Sequence, residues 1–103
     1  MKKKFIFLII LSFSILSPSK SDEIFNKGKE IFLNNGNCAT CHSLKDAGSN
    51  ANIGPSLDEI KPNIGRVKNA VVNGIGVMPS ALGILNEDEI DAVSHYVSAS
   101  SNN

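Results

Sequence analysis

The chain predicts an all-α protein of about four short helices joined by ordered loops. Three observations carry that expectation. Apolar residues recur at helical spacing in separate stretches; no stretch alternates apolar and polar residues as a half-buried strand would; and the segments between are rich in glycine, proline, asparagine and serine. No internal repeat and no low-complexity block interrupts this pattern.

The first element stands apart from the fold. Lys2, Lys3 and Lys4 precede an apolar run from Phe5 to Leu16, followed by Ser17-Pro18-Ser19-Lys20-Ser21. These are the three parts of a secretory signal peptide, and the small residues Ser19 and Ser21 place cleavage near Ser21. A run of about 12 apolar residues falls short of the 18 or more that a spanning helix needs, with an uncleaved anchor as the alternative. The expected organisation is a cleaved signal peptide over 1–21 and one domain over 22–103, exported to the periplasm, with no stable membrane insertion once the leader is gone. Ten basic side chains balance ten acidic ones in the whole sequence, but four of the lysines lie in the leader. The domain keeps six basic residues against ten acidic ones, a net charge of −4, which excludes nucleic acid as a partner. At about 82 residues its polypeptide core alone is marginal.

Within the domain, Ile24, Phe25, Gly28, Ile31 and Phe32 share a face and predict an amphipathic helix from Asp22 to about Leu33. Ser21 or Asp22 is the expected cap, and Asn34-Asn35-Gly36 the stop. Gly28 is either a weak point costing up to about 1 kcal/mol or the place where another helix crosses at close range. Ser43 to Asn52 reads as a surface loop and Gly54-Pro55 as a fixed turn. Ser56 with Glu59 has the spacing of a capping box for a short helix ending near Ile60. Pro62-Asn63 open the next helix, on which Ile64, Val67, Ala70 and Val71 share a face, Arg66 and Lys68 lie off it, and Asn73-Gly74 closes. Ile75 to Gly83 reads as an ordered loop holding Met78. Asn86, followed by Glu87, Asp88 and Glu89, caps the last helix, whose stripe is Ile90, Val93 and Val97 with Tyr96 on its flank. Ser98 to Asn103 reads as a frayed tail.

The chemistry gathers at Cys38-Ala39-Thr40-Cys41-His42, which has the C-x-x-C-H spacing of covalent c-type haem attachment. Residues i and i+3 share a face of a helical turn, so both sulfurs can reach the vinyl groups along one porphyrin edge, with His42 placed to bind the iron. The same cysteine spacing occurs in thioredoxin-like redox sites, in zinc sites and as a disulfide. Zinc needs about two further ligands, and outside the motif the chain offers only His95 as a second histidine and no other cysteine. A thioredoxin-like site needs a βαβ context that is missing. A disulfide in an exported protein stays open as a reading. Met78, the only methionine of the domain, lies in a loop beside Pro79 and is the expected sixth iron ligand. Its alternative role is flexible core filler. His95 lies off the apolar stripe of its helix, on the side of Asp88 and Asp91, and reads as a surface histidine. Two protein ligands leave the iron no open position, which favours electron transfer over catalysis and a protein that is not itself an enzyme.

In order along the chain, CATCH at 38–42, Gly54-Pro55 and Met78-Pro79, with Gly28 and Phe32 on the first helix and Val93 and Tyr96 on the last, resemble the small class I members of the cytochrome c family over essentially the whole domain. The resemblance implies a small class I cytochrome c fold, with short helices wrapped around one covalently bound haem c. It implies that Cys38 and Cys41 form the thioethers and that His42 and Met78 are the axial iron ligands. It implies further that the Pro55 carbonyl accepts from the ring N–H of His42. Arg66 is similar in position to a residue that meets the haem propionates in relatives, its other reading being a solvated helix charge.

The stretch from Asp46 to Pro79 is similar to the haem subunit of bacterial sulfite dehydrogenases, which implies single-electron transfer from a molybdenum-containing partner. A freely diffusing carrier to a terminal oxidase is the alternative. A gas-binding haem sensor is a reading of a different class, and a peroxidase-like enzyme would need an open iron site with an acid/base residue that the ligand loop does not supply. Lys45, Lys61, Arg66 and Lys68 are expected to form a local basic docking rim on an otherwise acidic protein.

Overall fold

A computed structural model of the chain describes residues 19–103. Four α-helices follow in order, α1 Lys20–Leu33, α2 Leu57–Ile60, α3 Ile64–Asn73 and α4 Glu87–Ser101. The signal-peptide reading lies outside the described residues except for its last three positions. Those positions already belong to α1 and its cap. Ser19, in place of the expected Ser21 or Asp22, accepts from the Asp22 N–H at 3.2 Å, so the helix starts two residues early.

Between α1 and α2 the chain makes two short 3-10 turns, Cys38–Thr40 and Lys45–Ala47, and two antiparallel strands, β1 Ser43–Leu44 and β2 Ser49–Asn50. The expected surface loop over 43–52 is therefore a miniature hairpin that buries Leu44 completely. Strands of two residues are too short to show an alternating pattern.

The core forms where α1 crosses α4. A β-carbon at Gly28 would lie 2.5 Å from Cβ of Tyr96 and closer still to the Ala92 carbonyl oxygen, so only glycine lets the two backbones approach this closely. The close-crossing expectation for Gly28 holds. Tyr96 is wholly buried beneath this crossing, with the rings of Phe25 and Phe32 edge-on to it at 4.9 and 5.8 Å between centroids. Its hydroxyl donates to Asp46 Oδ2 at 2.7 Å, and the same carboxylate meets Lys29 at 3.5 Å. That network joins α1, the 45–47 turn and α4.

α3 lies against the other side of α4 with Val67 and Val71 buried. Ile64, expected on that face, is largely exposed because it stands in the first turn, before the helix reaches α4. Lys68 bridges to Asp91 at 2.8 Å. α4 opens with a full capping box in which Asn86 and Glu89 exchange backbone bonds of 2.9 Å. Ser56 makes no such bond, contrary to its spacing with Glu59. The neighbouring Asp58 instead accepts from the Lys45 N–H at 2.7 Å and fastens α2 to the hairpin. The C-terminal tail is not frayed through Ser101. Lys61 Nζ donates to the Ser101 carbonyl at 3.1 Å, Asn102 donates to the Pro62 carbonyl at 3.3 Å, and Ser100 and Ser101 are buried.

Candidate functional site

Asn37 adopts a left-handed conformation, φ 58°, and turns the chain out of α1 into the Cys38–Thr40 turn. Its side chain accepts from the Thr40 hydroxyl at 3.2 Å, and the Cys38 carbonyl accepts from the Cys41 and His42 N–H groups at 3.1 and 3.0 Å. Cys38 opens this 3-10 turn and Cys41 closes it as the residue just past its end, so the two cysteines stand at either end of a single turn. Both thiols are free and half-buried, which sets the disulfide reading aside. Burial pushes the Cys38 thiol up to about 11, so it stays protonated at neutral pH and is a poor thiol–disulfide nucleophile. Among the described residues no three His, Cys, Asp or Glu side chains gather to hold a metal ion by themselves, which argues against the zinc reading.

His42 is oriented by its second ring nitrogen. Nδ1 lies 2.8 Å from the Pro55 carbonyl oxygen, and since a carbonyl only accepts, Nδ1 carries the proton and Nε2 presents a free lone pair. The backbone that supplies this carbonyl is held by the Gly54 N–H donating to the Cys41 carbonyl at 2.7 Å. A side chain at position 54 would collide with the imidazole, its β-carbon 2.6 Å from Cε1. Gly54 is thus a floor against which the ring lies flat, a role its place in a Gly-Pro turn hints at without specifying.

Met78 sits on a separate loop after α3. Its N–H donates to the Ile75 carbonyl at 2.8 Å and its carbonyl accepts from the Ile75 N–H at 3.0 Å, closing a tight turn over 75–78. Gly74, at φ 77°, seats that turn, since a β-carbon there would fall 2.7 Å from the Met78 carbonyl oxygen. The turn divides its side chains. Val77 is 92% exposed while Met78 is half-buried against the core.

The structure therefore brings Cys38, Cys41, His42 and Pro55 into one constellation through Gly54, and holds Met78 on its own loop. Arg66 stands apart in the first turn of α3, exposed, its backbone N–H capped by Asn63 at 2.8 Å. Its guanidinium forms no ion pair among the described residues. His95 is half-buried on α4, short of the solvated position expected. The basic rim is also thinner than expected, because Lys61 caps the end of α4 and Lys68 is paired with Asp91. Of the four, Lys45 and Arg66 keep side chains without such a partner among the described residues.

Comparison with known proteins gives a consistent set of likenesses. The family model described as cytochrome C oxidase, cbb3-type, subunit III matches residues 23–97. Cytochrome c6 of Cladophora glomerata is 36% identical over 81 residues, covering 73% of this chain and 87% of that protein. The crystal structure of the c-type cytochrome SorU from Sinorhizobium meliloti superposes with a TM-score of 0.74 at 46% identity, covering 78% of this chain and 93% of the other.

Proposed function

This chain belongs to the family described as cytochrome C oxidase, cbb3-type, subunit III, a family of c-type cytochromes carrying covalently bound haem c, and from that premise we propose that it works in the periplasm as the electron-accepting haem subunit of a sulfite dehydrogenase. Its class is that of an electron-carrying cytochrome with redox proteins as partners. Among the described residues no helix is long and apolar enough to cross a membrane.

The side chains present fit the haem. Cys38 and Cys41 are free thiols at the two ends of one short turn, available for thioether formation. His42 has its Nδ1 proton committed to Pro55 and its Nε2 available as a ligand. Met78 would offer a soft thioether as a second ligand, and Arg66 would offer a cation for the propionates. Bound there, the haem supplies a one-electron ferric/ferrous couple. The chain's own residues set its character. The hydrogen bond from His42 to Pro55 fixes the ring and its tautomer, and a thioether partner would favour ferrous iron relative to a second imidazole and raise the potential. With both iron ligands supplied by the protein, substrate would be kept off the iron.

The His42–Pro55 bond carries this reading: it leaves Nε2 of a histidine next to two free cysteines available to serve as a ligand. The sulfite assignment is supported by the resemblance of the 46–79 stretch and by the similarity to SorU. A freely diffusing carrier to a terminal oxidase is a second reading, favoured by the similarity to cytochrome c6. Mixing the oxidised protein with a bacterial molybdenum-containing sulfite dehydrogenase and sulfite separates the two. Reduction within turnover time supports the subunit reading, whereas reduction by a quinol-oxidising complex alone supports the diffusing carrier. A ferric spectrum without the methionine-to-iron charge-transfer band would remove Met78 from the ligand set.

A further inference from the structure

The last carbonyls of an α-helix have no partner within it. At the end of α3, two of them are taken by the loop that follows Met78. The Ala81 N–H donates to the Val71 carbonyl at 2.8 Å, and the Ser80 hydroxyl donates to the Val72 carbonyl at 2.5 Å. The same hydroxyl oxygen accepts from the Leu82 N–H at 3.1 Å, so one side chain ties both the helix end and the outgoing loop. Before Met78 the loop is seated on Gly74; after Met78 and Pro79 it is pinned by Ser80. The thioether is thus held between two anchors, of which the second depends on a hydroxyl that plays no part in the core.

We propose that Ser80 is a positioning residue for Met78, and that its hydroxyl sets how readily the thioether leaves the iron. The inference rests on Met78 being the axial ligand. If the hydroxyl is lost, the Ala81–Val71 bond still gives the loop its course, and the Met78 segment swings on one anchor instead of two. The fold itself stays closed, because α1, α4 and the hairpin make no use of Ser80.

The test compares the haem-loaded wild-type protein with Ser80→Ala and Ser80→Thr. In the ferric state, imidazole is added and its displacement of the sulfur ligand is followed by loss of the charge-transfer band. Displacement in Ser80→Ala should be roughly five- to tenfold faster, the effect of one lost hydrogen bond, with Ser80→Thr close to wild type. The urea midpoint of Ser80→Ala should fall by no more than one lost hydrogen bond accounts for, that of Ser80→Thr should match wild type, and amide exchange at Leu82 should quicken in Ser80→Ala alone. Displacement within twofold of wild type, or a general loss of stability accounting for the change, overturns the role of Ser80. Absence of the band from the wild-type protein overturns the Met78 assignment instead, and the two failures are told apart by that first spectrum.

Discussion

A β-carbon at position 54 would stand 2.6 Å from the His42 ring, and the ring cannot yield without giving up the Pro55 carbonyl. Gly54→Ala should therefore cost about 1–3 kcal/mol in a urea titration of the holoprotein and weaken retention of the axial histidine, seen as a high-spin fraction in the absorption spectrum. Tyr96 is the other residue whose chemistry is set by its surroundings. Burial first, and then the bond to Asp46, raise its phenol above the ordinary tyrosine range. The folded state holds that proton more tightly than the unfolded chain does. The resulting stabilisation is fully present below about pH 10, the unfolded value, and is lost as pH rises toward the folded one. Denaturant midpoints measured from pH 9 upward should fall more steeply for wild type than for Tyr96→Phe, which lacks the titrating group. At this scale the CATCH motif was readable from its spacing, the loop position of Met78 from the glycines and proline around it, and the Pro55 carbonyl from family resemblance. The left-handed Asn37 and the seat at Gly74 were not, since each depends on where a neighbouring backbone passes.

Helix starts divide into those closed by side chains and those closed by packing. Asn86 and Glu89 form both bonds of a capping box, whereas Ser56 with the same spacing forms none. Asn86→Ala should lower stability by about 1 kcal/mol, while Ser56→Ala should leave the thermal midpoint unchanged within a degree or two, a contrast that one series of melts decides. The difference also marks the reach of local pattern. Long amphipathic stretches such as Ile64–Asn73 and Glu87–Ser101 announce themselves by period. A single turn such as Leu57–Ile60 is held by its contacts, here Asp58 on the hairpin and Lys61 on the end of α4, and its cap cannot be inferred from spacing. The hairpin and the ordered C-terminus escaped for the same reason, being fixed by partners distant in the chain.

For the whole molecule, charge and exposed apolar surface act together. Residues 22–103 carry six basic side chains against ten acidic ones, and Lys61 and Lys68 are already engaged. Taken alone, residues 22–103 have the long-range field of an anion. Reduction by a cationic ruthenium ammine complex should slow as salt rises and reduction by an anionic reductant should quicken; stopped-flow rates insensitive to salt in both cases would show that the field at the redox site is neutral. Ile53, Ile75, Val77, Leu82 and Ile84 are exposed apolar side chains on the loops that flank the motif and Met78.

The seat of Tyr96 beneath Gly28 has a kinetic side. Among the described residues α1 and α4 are each other's main support, so the segment between them contains the entire haem-attachment motif. A growing chain offers α1 no partner until α4 has emerged, and until then Cys38 and Cys41 lie outside the finished core. Docking of α1 thereby waits for α4, an interval in which both thiols stand on an open polypeptide.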